Sequence, residues 1–236
     1  MKRIQTGIPG FDDVIEGGLV SNSVNLISGG TGTGKTIFCL QFLWNGVTKF
    51  NDDCTYISFE ENEENLKEDA KIFGWNFDDI KGKNKGKCTF CYIPPYTIRD
   101  FESMVIERVS KSKSKRVVID SVSSLDMMLE DNFEMRKGIY RLIDQLKKLN
   151  CTALMTSEIP SEASLHSDTS GNLSRFGVVE FACDSVISFH YAGLGGLSDR
   201  AIRIVKMRRT KHVRSPLPME IAKNGIRVLS RKRDYG

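Results

Sequence analysis

One segment of the chain combines glycines, hydroxyl groups and a lysine at spacings that suit a chemical role. It reads Gly29-Gly30-Thr31-Gly32-Thr33-Gly34-Lys35-Thr36 and fits the pattern G-x-x-x-x-G-K-[ST]. Glycines let successive backbone N–H groups point at one anion, and a helix that begins at the end of the loop adds partial positive charge. Lys35 would reach the β- and γ-phosphates of a nucleotide, and Thr36 would bind Mg²⁺. We therefore predict a P-loop for ATP or ADP, and we include the next residue, Ile37, in the cofactor site.

Acidic residues follow three further apolar stretches. Asp120 ends a run typical of a Walker B strand, whose carboxylate would hold Mg²⁺ opposite Thr36. A helix-capping aspartate has the same local pattern, so the P-loop is what favours the metal. Glu60 and Glu61 end another β-rich run and could orient the water that attacks a phosphoryl group, or could simply begin the next helix. Glu158 ends a third run, where it could sense the γ-phosphate or belong to a turn.

The elements that must position these residues alternate between strands and helices. Strands are predicted at 24–27, 54–59, 88–93, 116–120 and 152–157, with helices at 62–73, 97–111 and 134–149. Later strands are predicted at 185–190, 200–207, 219–222 and 226–229. The pattern predicts an α/β fold with a mainly parallel sheet flanked by helices and antiparallel strands near the C-terminus. We see no repeat or linker and predict one domain over 1–236, with one crevice at the carboxyl ends of the strands.

Composition sets broad limits on the class of protein. The chain has 236 residues, with 34 Lys plus Arg against 30 Asp plus Glu, a balance that neither requires nor excludes a nucleic-acid partner. We find no apolar run of about 18 residues and no apolar core of a signal peptide. We therefore expect a cytoplasmic protein without a membrane partner.

The six cysteines include a C-x-x-C motif, Cys88 and Cys91. No second pair and no nearby histidine completes a zinc site. On the predicted strand, an offset of three residues places the two thiols on opposite faces. We expect reduced cysteines in the core and no metal there.

Motifs spread over nearly the whole chain form a recognisable set. Besides the P-loop they are Thr6-Gly7-Ile8-Pro9-Gly10-Phe11-Asp12, Gly17-Gly18-Leu19, Ser58-Phe59-Glu60-Glu61, Val117 to Ser121, Arg175-Phe176-Gly177 with Glu180, and Lys206-Met207-Arg208-Arg209-Thr210-Lys211-His212. With this set the chain resembles a single KaiC domain of the RecA-like P-loop ATPases, and archaeal KaiC-like proteins in particular. The resemblance implies that Glu60 and Glu61 activate the attacking water.

The resemblance also implies a homo-oligomeric ring, a hexamer, that hydrolyses ATP with Mg²⁺ at its subunit interfaces. Lys206 and Arg208 match residues that reach the nucleotide of a neighbouring subunit, and Thr210 and His212 lie on the same stretch. A cation supplied in this way stabilises charge on the transferring phosphoryl group. On a strand all four side chains would point to one face, although an ordinary half-exposed strand alternates in the same way. Lys223-Asn224 departs from the family, because two-domain relatives carry an acid there.

We expect an Mg-ATPase whose nucleotide state regulates an unidentified partner protein. The alternatives are a RecA/RadB-like DNA-binding recombination mediator and an ATP-binding scaffold with little turnover. The segment 161–174 lies where RecA-like proteins present DNA-binding loops, but it offers only His166, with Arg175 and Phe176 at its edge, which disfavours nucleic acid. The basic stretch 206–214 keeps nucleic acid as an alternative. The hydroxyl groups of 161–174 leave autophosphorylation as an additional activity to consider.

Overall fold

Two sheets account for the strands in the part of the chain that the computed structural model describes, which is residues 1–80, 82, 85–94, 101–127, 132–159, 179–191 and 199–229. The smaller sheet pairs β1 (Arg3–Ile4) with β2 (Leu19–Val20) antiparallel. The larger sheet has nine strands in the described residues: β3 (Val24–Gly29), β4 (Cys54–Ser58), β5 (Cys88–Tyr92), β6 (Arg116–Asp120), β7 (Thr152–Glu158), β8 (Ser185–Tyr191), β9 (Arg200–Met207), β10 (Leu217–Ala222) and β11 (Gly225–Val228).

The order of the large sheet places the P-loop strand near its centre. The order is β11-β10-β9-β8-β3-β7-β6-β4-β5. Strands β8, β3, β7, β6, β4 and β5 run parallel, while β9, β10 and β11 are antiparallel to their neighbours. This arrangement confirms the predicted α/β class, with a mainly parallel sheet and antiparallel strands near the C-terminus.

Helices cover both faces of the large sheet. They are α1 (Lys35–Lys49), α2 (Glu63–Ile72), α3 (Phe101–Ser112), α4 (Asn132–Lys148) and α5 (Val179–Ala182), with 3₁₀ helices at Asp12–Ile15 and Val122–Met127. Helices α1 and α2 pack on one face, and α3 and α4 on the other, so that two apolar layers enclose the strands. Helix α2 begins where Asn62 accepts a hydrogen bond from the Asn65 N–H over 2.9 Å, a typical N-cap. None of the helices in the described ranges has the length and apolar character needed to cross a bilayer.

A buried ion pair joins β6 to the loop after α1. The Arg116 side chain is 1% exposed and donates from Nε to Asp52 Oδ2 over 2.9 Å. Its guanidinium lies 4.7 Å from the ring centroid of Phe42 and 4.8 Å from that of Phe50. Lys115 contacts the same carboxylate over 2.9 Å, but its side chain is 62% exposed. The charge on Arg116 is therefore neutralised mainly by Asp52.

The C-x-x-C motif lies on β5, as predicted. Cys88 packs against the apolar layer under α1 and α2, and Cys91 against the layer under α3 and α4, so the two thiols lie on opposite faces of the sheet. Both residues are half-buried, and all six cysteines are free. Burial raises the pKa of the Cys88 and Cys91 thiols, which keeps them protonated and poorly nucleophilic.

The strand predicted at 200–207 is confirmed as β9, and the shared face that Lys206, Arg208, Thr210 and His212 would have on a strand is not formed. Strand β9 ends at Met207, and Arg209 adopts the left-handed region with φ 61°. A residue in that region breaks the two-residue alternation of a strand. Other predictions lie outside the described residues: the start of the helix at 97–100, the segment 161–174, the motif at 175–177 and the basic tail at 231–233.

Candidate functional site

The predicted P-loop joins β3 to α1 and opens at the carboxyl ends of the parallel strands. Gly34, with φ 102°, lets the chain turn directly into α1. The Lys35 side chain folds over the loop and donates from Nζ to the carbonyls of Gly29 (3.0 Å) and Gly30 (2.9 Å). Thr33 donates from Oγ1 to the Gly30 carbonyl over 2.8 Å. The side chains of Lys35 and Thr33 therefore hold the loop backbone in its curled conformation.

Space for a ligand lies directly above this loop. A Cβ atom built at Gly30 or Gly32 would have no heavy atom within 4 Å. The cleft there has a volume of about 310 Å³. Its lining comprises Thr31, Gly32, Gly34, Lys35, Thr36, Ile37, Glu60, Glu61, Asp69, Asp120, Ser121 and Glu158. The P-loop and the acids predicted at three strand ends thus lie in one cleft.

Asp120 lies at the base of the cleft as the acceptor of three hydroxyl groups. Thr36 donates from Oγ1 to Asp120 Oδ2 over 3.0 Å. The Tyr56 hydroxyl donates to the same oxygen, and the Thr156 hydroxyl donates to Oδ1. Burial raises the pKa of Asp120, and the hydrogen bonds from Thr156, Tyr56 and Thr36 oppose that rise. The carboxylate is therefore held in one orientation from both sides.

The oxygen donors of Thr36 and Asp120 fit Mg²⁺, which prefers hard oxygen ligands. Among the described residues, no group of three or more His, Cys, Asp or Glu side chains is arranged to hold a metal ion. A magnesium ion that accompanies a nucleotide needs few protein ligands, because phosphate oxygens and water complete its shell. Thr36 and Asp120 would therefore fit an ion that arrives with a nucleotide.

The two adjacent glutamates occupy different environments. The Ser58 hydroxyl accepts from the N–H of Glu60 (3.2 Å) and of Glu61 (2.9 Å), which fixes the backbone as it leaves β4. Glu60 Oε1 accepts from Ser121 Oγ over 2.6 Å and from Ser124 Oγ over 2.5 Å. Burial raises the pKa of Glu61, with further increases from the charges of Asp69, Asp120 and Glu60.

Glu158 lies at the rim of the cleft, on the P-loop side. Its Oε1 accepts from Thr31 Oγ1 over 3.2 Å and is 4.0 Å from Lys35 Nζ. The Glu158 N–H donates to Ser123 Oγ over 2.8 Å, which connects β7 to the 3₁₀ helix after β6. The Glu158 carboxylate therefore lies between the P-loop and the 3₁₀ helix that supplies a serine hydroxyl to Glu60.

Four of the predicted site residues do not lie in this cleft. Met207 pairs with Ser185 at the amino end of β8, whereas Phe189, further along β8, pairs with Gly29 at the start of the P-loop. Lys206, Arg208 and Thr210 therefore lie at or beyond the opposite edge of the sheet from the cleft, and His212 lies in the connection that returns from Met207 to β10.

The contacts of these four residues differ. Lys206 donates from Nζ to the carbonyls of Glu180 (3.0 Å), Phe181 (3.2 Å) and Cys183 (2.8 Å). Burial lowers the pKa of Lys206, and the nearby charge of Arg208 lowers it further. Arg208 donates from Nη2 to the Phe181 carbonyl over 3.3 Å at an exposed position. Lys206 is thus held inside its own chain more firmly than Arg208.

Thr210 and His212 also have partners within the chain. Thr210 Oγ1 accepts from Arg3 Nη1 over 3.0 Å. His212 Nδ1 lies 2.9 Å from the Val213 carbonyl. Neither residue contacts the P-loop cleft of its own chain, so a nucleotide-binding role for them would concern another copy.

Sequence reasoning missed the hydroxyl groups that orient the acids. Tyr56 and Thr156 reach Asp120 because β4 and β7 both lie beside β6 in parallel register. Ser121 and Ser124 reach Glu60 because the chain turns into a 3₁₀ helix just after Asp120. The sequence did offer one signal for these hydroxyl groups, which is a polar side chain inside a predicted buried strand, as at Tyr56 and Thr156.

Comparison with known proteins gives the family. The KaiC ATPase family model matches residues 4–233. The chain belongs to the KaiC family of RecA-like ATPases. The circadian clock oscillator protein KaiC from Nostoc sp. is 35% identical over 238 residues, which cover 97% of this chain and 44% of the relative. KaiC from Thermostichus vulcanus is 36% identical with the same coverage. The chain therefore spans less than half the length of these curated KaiC proteins.

A solved structure in this family has the same fold. The KaiC-like protein from the hyperthermophilic archaeon Pyrococcus horikoshii superimposes with a TM-score of 0.81 at 32% sequence identity. The match covers 97% of this chain and 99% of that one. The resemblance to archaeal KaiC-like proteins is thereby confirmed.

Proposed function

We propose that this chain binds ATP with Mg²⁺ and hydrolyses it at interfaces between copies of itself in a head-to-tail ring. The observation that carries the proposal is the division of the predicted machinery between two edges of the sheet. The P-loop, Asp120 and the two glutamates lie at the carboxyl edge, and Lys206 and Arg208 lie at the amino edge. One copy would therefore complete the site of the next.

The charge of the cleft supports a nucleotide bound together with a cation. Five carboxylates line the cleft beside Lys35: Glu60, Glu61, Asp69, Asp120 and Glu158. A nucleotide polyphosphate would add further negative charge, which a divalent cation at Thr36 and Asp120 offsets. Mg²⁺, when bound, would neutralise charge on the β- and γ-phosphate oxygens. Lys35 would exchange its bonds to the Gly29 and Gly30 carbonyls for contacts with phosphate.

Glu60 and Glu61 have different roles toward the attacking water. Glu61 lines the cleft with a raised pKa, which makes its carboxylate a stronger proton acceptor than an ordinary glutamate. Glu60 is bound by the hydroxyls of Ser121 and Ser124, which suits a residue that positions rather than accepts. We assign the role of base to Glu61 and the supporting role to Glu60.

The geometry of β8 supports action on a neighbouring copy. The pairs Ser185–Met207 and Phe189–Gly29 are four residues apart along β8, roughly 13 Å at the usual strand rise. This length of strand separates Lys206 and Arg208 from the cleft of their own chain. A heterologous contact in which the amino edge of one copy meets the cleft of the next gives a ring when the rotation between successive copies closes on itself. The family resemblance implies six copies, and we propose that nucleotide state in the ring regulates a partner protein.

Mixing two inactive variants tests this arrangement. Glu60→Gln combined with Glu61→Gln inactivates the cleft but leaves Arg208 intact, whereas Arg208→Ala does the reverse. Each variant alone should turn over ATP poorly, and an equal mixture should recover about a quarter of wild-type turnover, because half of the clefts are intact and half of their neighbours carry arginine. Phosphate release is the measurement, with light scattering to follow assembly in ATP and in ADP.

The control is Arg214→Ala, which removes an exposed arginine further along the same segment and should leave turnover unchanged. No recovery in the mixture, in rings that contain both variants, would contradict action between copies. Full activity of the Arg208→Ala variant alone would contradict the role of that arginine.

A further inference from the structure

One buried carboxylate ties the turn at Arg208 and Arg209 to the body of the chain. We propose that Asp184 is a positioning residue that holds this turn and thereby fixes the direction in which Arg208 projects, an inference that rests on the proposed function. Asp184 immediately precedes β8, and its side chain is 9% exposed.

Asp184 connects three elements through its two carboxylate oxygens. Oδ2 accepts from the Val24 N–H at the start of β3 over 3.1 Å, and Lys147 Nζ of α4 lies 3.2 Å away. Oδ1 accepts from Arg209 Nη2 over 3.1 Å. One oxygen therefore fixes the carboxylate to the sheet and α4, and the other holds the turn.

The backbone of Asp184 makes a second contact with the same turn. Its carbonyl accepts from the Arg208 N–H over 2.9 Å. Arg209 lies at φ 61°, a region that non-glycine residues rarely adopt without local support. The two bonds from Asp184, to the amide of one residue and the side chain of the next, supply that support.

Arg3 holds the far side of the turn. Its Nη1 donates to the Gly18 carbonyl and to Thr210 Oγ1, both over 3.0 Å, and its Nη2 donates to the Arg209 carbonyl over 3.4 Å. The backbone from Arg208 to Thr210 is thus fixed at both ends. The Arg208 guanidinium, by contrast, extends to an exposed position beside the Phe181 carbonyl.

Because the turn that carries Arg208 is fixed, the position of its side chain has a consequence for catalysis. Charge stabilisation in phosphoryl transfer requires the donor in place before reaction, and a displacement of about 1 Å can cost roughly a hundredfold in rate. Asp184 would not touch the nucleotide. It would act through Arg208 by limiting where that side chain starts.

Three variants separate positioning from folding. Arg209→Met removes the bond to Asp184 from a side chain that is 50% exposed, so the fold should tolerate it. Asp184→Asn keeps the shape but weakens the contact. Lys147→Met is the matched control, because it removes another contact of the same carboxylate without touching the turn.

Hydrogen–deuterium exchange on nucleotide-free protein gives a readout that is independent of turnover. The Arg208 amide should exchange at least about tenfold faster in the Arg209→Met and Asp184→Asn variants, and at the wild-type rate in Lys147→Met. Equal protection of that amide in all three variants would overturn the role of Asp184. Asp184→Asn alone is not decisive if it unfolds the protein, so the Arg209→Met result carries the comparison.

Kinetics then connect the turn to the neighbouring site. In assembled protein, Arg209→Met should lower kcat about tenfold with KM within about twofold, and an equal mixture with the Glu60→Gln, Glu61→Gln double variant should raise turnover to about a quarter of wild type. If Arg208→Ala lowers turnover and Arg209→Met does not, the positioning inference is wrong and the proposed function stands. If Arg208→Ala has no effect, the proposed function fails, while amide exchange still decides whether Asp184 holds the turn.

Discussion

The Thr36 hydroxyl donates a hydrogen bond of 3.0 Å to Asp120, across 84 positions of sequence. The bond links the first turn of α1 to the end of β6, two elements that meet only because β3 and β6 flank β7 in the sheet. Tyr56 and Thr156 donate to the same carboxylate. Asp120 is thus oriented by protein groups before any ion arrives, which reduces the reorganisation that metal binding requires.

This contact predicts a specific dependence on the Thr36 hydroxyl. Thr36→Val keeps the shape of the side chain but removes its oxygen, and should lower turnover roughly a hundredfold, because loss of a metal ligand removes several kcal/mol of charge stabilisation. Thr36→Ser keeps the oxygen and should stay within about threefold of wild type. Turnover as a function of Mg²⁺ concentration is the measurement. Equal behaviour of the two variants would contradict a metal-binding role for this hydroxyl.

A second prediction concerns nucleotide affinity. Lys35 is 8% exposed and already donates to two carbonyls in the loop, so it lies where phosphate would bind. Lys35→Ala should weaken binding of a fluorescent ATP analogue by roughly a hundredfold, since each lost charge-assisted contact to phosphate is worth about 1.5–3 kcal/mol. Lys49→Ala is the control, at an exposed lysine at the far end of the same helix. Unchanged affinity in the Lys35 variant would rule out the P-loop assignment.

The fold and the cleft were predictable where the signal is local. A glycine loop followed by Lys35 and Thr36 imposes its own geometry, and Asp120 ends an apolar strand that must lie in the sheet. The sequence marks Tyr56 as a polar residue in an apolar strand, but the carboxylates that Tyr56 and Ser124 orient were not predictable. Their roles depend on which strands are neighbours and on the turn after β6, and neither is encoded within a short window of sequence.

Contacts of the same kind set the end of β9 at Met207, where the alternating pattern alone would allow a longer strand. The alternation of basic and polar residues after Lys206 is typical of a half-exposed strand. Long-range bonds override it, because Asp184 and Arg3 hold Arg209 in the left-handed region. Tertiary contacts of this kind leave no mark in the local pattern.

A third prediction concerns the buried Asp52–Arg116 pair. Asp52→Ala leaves the Arg116 guanidinium buried between two aromatic rings without its carboxylate, and should reduce the free energy of unfolding by about 3–5 kcal/mol. Lys115→Ala removes an exposed contact of the same carboxylate and should cost at most about 1 kcal/mol. Urea denaturation of both variants measures the difference. Similar costs would show that burial does not set the strength of this pair.

A fourth prediction uses two glycines with positive φ. Gly225, at φ 109°, has Trp75 Cζ2 2.4 Å from the position of a Cβ atom, whereas Gly74, at φ 79°, has no atom within 4 Å. Gly74→Ala should cost about 1–2 kcal/mol from backbone strain alone. Gly225→Ala should cost a further 1–3 kcal/mol or so from overpacking. Urea midpoints and Trp75 fluorescence test this, and equal costs would contradict the steric part of the argument.

The placement of Arg208 and the P-loop at opposite edges of the sheet has an arithmetic consequence for assemblies of this chain. In an open row of copies joined head to tail, the cleft of the copy at one end receives no arginine. The Arg208 of the copy at the other end reaches no cleft. Closure of the row removes both defects at once, so the last contact adds a working site without adding a subunit. Under the proposed arrangement, turnover per subunit would therefore report whether an assembly is open or closed.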